Sequence, residues 1–556
     1  MILRDLKLAA AAIILVGAVY FAWSWYNSTR FGPGESSAIW VPAGFIAPDA
    51  LTLDGAMPVT RILANPQGLK DTDFSGFLHS SQGSLMVPDD IFLALESASG
   101  TGLFVAPGNL RRLRYVAGAA GQENPDALPI GFSRSTLPWQ GETYVGLSCA
   151  ACHSGVVTYR GTGLFIMGAP TQGDFQTMTE ELDAALVATL EDPARFDRMA
   201  QRLNVDGDAA RLQLRDRLVR EQGLLGARVA LNAAPLRYGY GRVDAVGQIY
   251  NMATSVNLGL PQNAAPPDAP VSYPQIWGTG QSDVAQWTGF APNWVPGSIL
   301  LRNVGEVIGV FGRLDARPGS LTYPSSIDIA DLGALEDWVN QLEPPAWPEQ
   351  ILGAIDRDLA AQGEALYATH CSGCHEIRAA RESYEARLIS PDELGVDPLA
   401  ARNAIATGET RDGARKLKLK MLIEQAMQVA AAQPDASVRA IERGAVLAGF
   451  GKRGGFTYKA RPLNGIWATA PYLHNGSVPT LFDMLTPPAE RPRELHLGGW
   501  EFDPVRVGFA PYTGVDAWVL DTALPGNRNT GHDAAIFGTT FSEAQRWAIV
   551  EYLKTL

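Results

Sequence analysis

A chain of 556 residues with 46% hydrophobic and 19% charged residues has enough apolar material for more than one folded domain and is not a disordered polymer. Its formal net charge of −13, with no local run of lysine or arginine, excludes nucleic acid as a partner, because the phosphates would be repelled. An acidic surface suits solubility or a basic partner.

In chain order, Arg4 and Lys7 precede Leu8–Tyr26, a run without a charge. A membrane-spanning helix needs about 20 such residues, and a signal-peptide core about 7–15. No small-x-small cleavage site follows at Trp25–Arg30, and Trp23, Trp25 and Tyr26 suit a bilayer interface. The sequence therefore predicts an N-terminal transmembrane anchor over residues 1–30, with a cleaved export signal as the alternative. Residues 31–70, rich in glycine and proline, read as a lead-in. Asp89 and Asp90 cap a short helix whose inner side is Ile91, Phe92 and Leu95. His79 and Met86 nearby are conceivable metal ligands, and equally loop and packing residues.

Cys149-Ala150-Ala151-Cys152-His153 then presents two cysteines three apart with a histidine directly after them, and Cys371-Ser372-Gly373-Cys374-His375 repeats the pattern. This is the attachment signature of a c-type haem. Two thiols add across the haem vinyl groups, and the adjacent imidazole reaches the iron as proximal ligand. The two motifs use all four cysteines of the chain. A four-cysteine zinc site would pair such units about 15–20 residues apart, whereas Cys371 lies 222 residues after Cys149. A thioredoxin-like redox pair needs one motif and no histidine. The expected cofactors are two covalently bound c-type haems, and covalent haem attachment places the protein outside the bacterial cytoplasm.

Between the motifs, Phe165–Pro170 reads as a buried strand ending in a turn. Phe175–Phe196 reads as a helix with Met178, Leu182, Ala185 and Leu186 on one face. A second helix is predicted from about Asp208 to Leu225, and Gly239–Ala245 is a glycine turn running into another. The loop-like stretch that follows carries Pro261, Pro266, Pro267, Pro270 and Pro274. So long an irregular segment is usually functional or wrapped around a large group, and a haem would serve. In the apolar run Leu301–Phe311, Glu306 is a lone carboxylate: either a surface or capping group, or a proton carrier over an open iron site. The proline-stiffened Leu342–Pro348 is the clearest linker and divides a first domain, 31–345, from a second, 346–556. Ala354–Thr369 and Ser542–Leu556 are helices, the latter with a serine cap and Trp547, Val550 and Leu553 on one face. First and last helices crossing beside a haem is the cytochrome c plan. The loop before the last helix, Leu524–His532, holds no methionine, and His532 is the nitrogen ligand it offers; His474 lies further upstream. The expected fold class is mainly α: two cytochrome c-like haem domains with long irregular loops, behind an N-terminal transmembrane helix.

Together with the two motifs, Thr469-Ala470-Pro471-Tyr472-Leu473-His474-Asn475-Gly476-Ser477-Val478-Pro479-Thr480-Leu481 resembles the bacterial di-haem cytochrome c peroxidase and MauG superfamily. Within it, Gly146–Cys149, Arg302–Phe311, Tyr458–Trp467 and Gly531-His532 are most similar to the branch of the di-haem rubber oxygenases and their fatty-acid-oxidising relatives. The resemblance implies a reactive haem on His153, with an open or weakly held sixth position, and an electron-relaying haem on His375. His532 stands ten residues before Ser542, where the peroxidases carry a ligating methionine. It is thus implied as the replacement ligand of a bis-histidine haem of lower potential. His474 falls where the peroxidases keep a histidine near the inter-haem region. Trp467 and Trp287 are either aromatic stepping stones between the haems or core. No histidine occurs in 154–369, which excludes a distal histidine there; Glu306 for protons and Phe311 as an apolar wall are the candidates instead. A calcium ion between the domains, known in related peroxidases, cannot be placed on particular residues. The expected function is a periplasmic, inner-membrane-anchored di-haem oxidoreductase acting with peroxide or dioxygen. The alternatives are a non-catalytic electron-transfer cytochrome docking with a redox protein, and an oxidative modifier of a partner protein.

Overall fold

The computed structural model describes residues 40–293, 298–314, 316, 324–379, 381–431 and 455–556. The predicted anchor over residues 1–30 lies outside them. Among the described residues no helix is long and apolar enough to cross a membrane, so the transmembrane part of the expected fold class has no support there. The expected class "mainly α" is overturned. Helix accounts for 37% and strand for 16%, and the described residues form a four-stranded sheet, a three-stranded sheet and six two-stranded ladders.

The strands gather around the first motif, where the sequence reading placed one buried strand, Phe165–Pro170, a stretch that falls in the strand Thr162–Met167 and the turn after it. β1 (Val41–Pro42), β2 (Arg61–Asn65), β3 (Val87–Pro88), β4 (Phe132–Thr136), β5 (Thr143–Leu147), β6 (Ser154–Tyr159) and β7 (Thr162–Met167) build two sheets, of order β1-β2-β7-β6 and β3-β5-β4. β6 and β7 are rich in Val, Tyr, Phe and Ile and buried almost throughout, which favours a pleated core layer over a helix with one wet face. Between them Arg160 (φ 48°) and Gly161 (φ 76°) make the two-residue turn, both with the positive φ that matches strand twist. β7 then pairs in parallel with β2, Leu63 opposite Leu164, across a hundred residues of chain. Such a partner is invisible to any local pattern.

Helices Phe175–Glu191, Pro193–Arg202 and Asp208–Leu231 follow, the first two capped by Asp174 and Asp192. The proline segment 342–348 is not a free linker. Glu343 exchanges main-chain and side-chain hydrogen bonds with Gln67, Trp467 Nε1 donates to the Pro345 carbonyl at 2.8 Å, and Trp347 is buried against Trp467.

The C-terminal half has the expected helix pair. Arg357–His370 begins at an Asp356 cap, and Glu543–Leu553 begins at Ser542, which forms a capping box with Gln545. They cross at Gly363, where an added Cβ would come within 1.9 Å of the Ala548 carbonyl oxygen. Because that oxygen is backbone, the helices would have to part. Gly363→Ala is therefore expected to destabilise the fold by about 1–3 kcal/mol despite alanine's higher helix propensity. Thermal unfolding followed by tryptophan fluorescence checks this; an unchanged or raised midpoint would contradict the close crossing.

Candidate functional site

The first motif sits at the end of β5, where the chain turns into one helical turn, Cys149–Cys152. Gly131 (φ 80°) lets a neighbouring loop lie directly on it: a Cβ there would meet the Ala151 nitrogen at 1.9 Å. His153 Nδ1 lies 2.9 Å from the Pro274 carbonyl, which can only accept. Nδ1 thus carries the proton, and Nε2 presents its lone pair. Burial pushes the imidazole pKa down to about 4, which keeps it neutral and ready to ligate.

Cys149, Cys152 and His153 line a cavity with about 1360 Å³ of atom-free space, together with Tyr273, Gln286, Arg302 and Glu306. No second histidine and no methionine is among the described lining residues. Gln286 Nε2 donates to Glu306 Oε1 at 2.9 Å, and Arg302 Nε stands 3.8 Å from the same oxygen. Burial raises the Glu306 pKa, against the opposing pull of Arg302.

Phe311 does not line this cavity; Phe175 and Val310 do. The helix Ser298–Gly309 ends before it, and Phe311 (φ 70°) packs one layer behind, its ring 5.9 Å from Phe175 and 4.4 Å from the Arg228 guanidinium. His79 and Met86 line neither this cavity nor the next.

The second motif follows helix Arg357–His370 and opens on a cavity with about 1430 Å³ of atom-free space. His375 Nδ1 donates to the Arg461 carbonyl at 2.7 Å, again leaving Nε2 free. His532 faces it across the cavity, ring centres 6.2 Å apart and planes 32° apart. Burial, with His375 and Arg491 nearby, depresses the His532 pKa to about 3, and its Nδ1 is buried with no hydrogen-bond partner. A buried, unpartnered imidazole facing a second one calls for a group between them.

The loop presenting His532 is gripped by residues that the sequence reading left without a role. Asn475 Nδ2 donates to the carbonyls of Gly526 and Arg528, Ser477 Oγ to Arg528, and Arg491 to the carbonyls of Asn529 and His532. Asp397 accepts from the Gly526 amide at 2.7 Å. Asn475 and Ser477 lie in the 469–481 motif, so its resemblance was the available signal; Arg491 carried none. His474 lines the second cavity, stacked on Tyr458 with ring centres 4.1 Å apart and Nε2 3.0 Å from the Tyr458 hydroxyl. Trp287 lines the same cavity, beneath the Arg461 guanidinium. Trp467 lines neither: it is core, packed on Trp347 and Phe502.

Gln275, Lys459 and Arg461 line both cavities. Lys459 donates to the Val284 carbonyl at 3.0 Å, and neither it nor Arg461 makes an ion pair with a carboxylate within the described residues. Burial drives the Lys459 pKa well down and that of Arg461 to about 10. Basic groups lining such a cavity lose solvation when a large group fills it, and an anion beside them offsets that cost. Haem brings two propionate carboxylates, so cysteine pairs, oriented imidazoles and cationic wall all fit it. Zinc fits poorly, because the four cysteines are divided between two cavities. Among the described residues no cluster of three or more His, Cys, Asp or Glu is arranged to hold a metal ion, and no calcium site is assigned.

Comparison with known proteins agrees with this chemistry. Residues 457–496, which supply Tyr458, Lys459, Arg461 and His474, match the family described as RoxA-like, cytochrome c-like. The uncharacterized protein y4iJ of Sinorhizobium fredii is 30% identical over 558 aligned residues, spanning 86% of this chain and 90% of its own length. A second uncharacterized protein of that organism, y4iM, is 27% identical over 325, spanning 52% of this chain and 66% of its own. The chain belongs to the same family as y4iJ, and its 457–496 segment matches a RoxA-like, cytochrome c-like domain, which supports haem c as its cofactor.

Proposed function

We propose that the chain is a di-haem c-type oxidoreductase of peroxidase or oxygenase type, reactive at the His153 site and electron-relaying at the His375 site. The observation that carries this is the asymmetry of the two cavities. His375 and His532 face each other with ring centres 6.2 Å apart, so the two imidazoles would hold one haem between them. Facing His153 there is no second imidazole or thioether among the described lining residues, but a carboxylate held by Gln286.

When bound, such a haem supplies one-electron chemistry and, where a coordination position is free, a place for peroxide or dioxygen. His153 would be the proximal ligand, held in orientation by the Pro274 carbonyl. Glu306, whose carboxyl pKa burial raises, would carry a proton beside the same group. Phe175, Val310 and Ile249 give that space its apolar lining. His375 and His532 would hold the other haem between them, which suits electron storage. A small-molecule oxidant is the expected partner, and covalent haem attachment puts the working protein outside the cytoplasm.

The test is an EPR spectrum of the fully oxidised protein, with haem content fixed by intact mass. Two haems with one high-spin and one low-spin ferric signal are expected. Two low-spin signals that persist on partial reduction would mean both irons are capped, and an electron-transfer cytochrome would replace the enzyme.

A further inference from the structure

The wall shared by the two cavities also joins the two motif histidines through one unbroken line of contacts. His153 Nδ1 donates to the Pro274 carbonyl at 2.9 Å. The next residue, Gln275, is 4% exposed, and its Oε1 and main-chain carbonyl both accept from the Arg461 guanidinium, the carbonyl at 3.3 Å. The Arg461 carbonyl in turn accepts from His375 Nδ1 at 2.7 Å. Only covalent bonds and three hydrogen-bonded steps separate one imidazole from the other, with no through-space gap. The aromatic alternatives are less well placed: Trp467 lines neither cavity and Trp287 lines only the second.

We propose that the Gln275–Arg461 contact is the electron-coupling bridge between the two haem sites, a positioning pair that ties one proximal imidazole to the other. The inference rests on the two-haem reading above. Electronic coupling decays more slowly along bonds and hydrogen bonds than across gaps, and of the two contacts that Gln275 makes with the Arg461 guanidinium the side-chain oxygen makes the shorter, the main-chain carbonyl at 3.3 Å the longer, so the side chain carries the stronger coupling. In the step itself one electron leaves the iron at the His375 site, which is oxidised by one unit, and reaches the iron at the His153 site, which is reduced by one. No bond forms or breaks, and Gln275 and Arg461 keep their protons.

The experiment injects a single electron into the oxidised holoprotein from a photoreduced ruthenium complex and follows its equilibration between the haems by their spectra. Gln275→Leu is expected to slow that equilibration by about tenfold, with both ferric EPR signals and both midpoint potentials as in the parent protein. Gln275→Glu, which still offers Arg461 an acceptor, should restore the rate. Arg461→Lys keeps the cation but loses the two-pronged contact, and should slow transfer as the leucine variant does; it serves if that variant fails to fold. An unchanged rate in Gln275→Leu overturns the bridge, as does a slowing fully accounted for by shifted potentials. Slowing in Trp287→Phe alone would give the route to the indole instead. A protein with one haem by intact mass would sink the two-haem reading itself, a result separate from an unaltered rate.

Discussion

Replacing His532 with methionine is expected to raise the midpoint potential of the second haem by on the order of 100 mV, since axial ligands set haem potentials across a range of roughly 0.8 V and methionine lies to the high side of histidine. The first haem should keep its potential, because His532 lines only the second cavity. His532→Ala should convert the low-spin ferric signal of that haem to high spin, since neither His474, bonded to Tyr458, nor any other described group faces His375 as His532 does. Potentiometric titration with EPR at each step reads both effects. If the potential and spin state of both haems survive these substitutions, His532 is not a ligand and the proposed relay site must be redrawn.

Glu306→Gln is expected to lower turnover with peroxide by on the order of 10²-fold, the scale of a lost proton-transfer group. Haem content and both EPR signals should be unaltered, because the amide still offers Gln286 an acceptor oxygen. The raised pKa of Glu306 adds a pH signature. If the carboxylate form is the one that takes the proton from peroxide, the parent rate rises with pH through that elevated pKa, and the variant loses this limb. A rate and pH profile shared by parent and variant would remove Glu306 from the mechanism.

The parts of the molecule that were legible in the sequence are those whose chemistry is contiguous. Covalent haem attachment needs its cysteines and histidine side by side, so Cys149–His153 and Cys371–His375 announce themselves. Helices Arg357–His370 and Glu543–Leu553 were legible because helical apolar spacing and, for the second, the Ser542 cap are also local; the Asp356 cap that sets the start of the first was not read. Of the strands around the first motif only the β7 stretch was read as one, from Phe165–Pro170, while its parallel pairing with the distant β2 had no local signal. Phe311, offered as the apolar wall because no distal histidine was available, lies off the cavity because the helix ends at Gly309 and the next turn (φ 70° at Phe311) swings the ring away. Gln275 and Arg461 are 186 residues apart, and nothing in either neighbourhood points to the other.

The grip on the His532 loop has a bearing on how such proteins diversify. Asn475, Ser477 and Arg491 hold carbonyl oxygens, and a carbonyl is the same whatever residue bears it. The backbone at 532 (φ 48°) excludes β-branched residues but accepts unbranched ones. Position 532 is therefore an exchangeable fitting in a fixed mount. On the proposed two-haem reading, a single codon there would retune the potential of the His375 site in an otherwise unaltered scaffold, without any compensating change elsewhere in the chain.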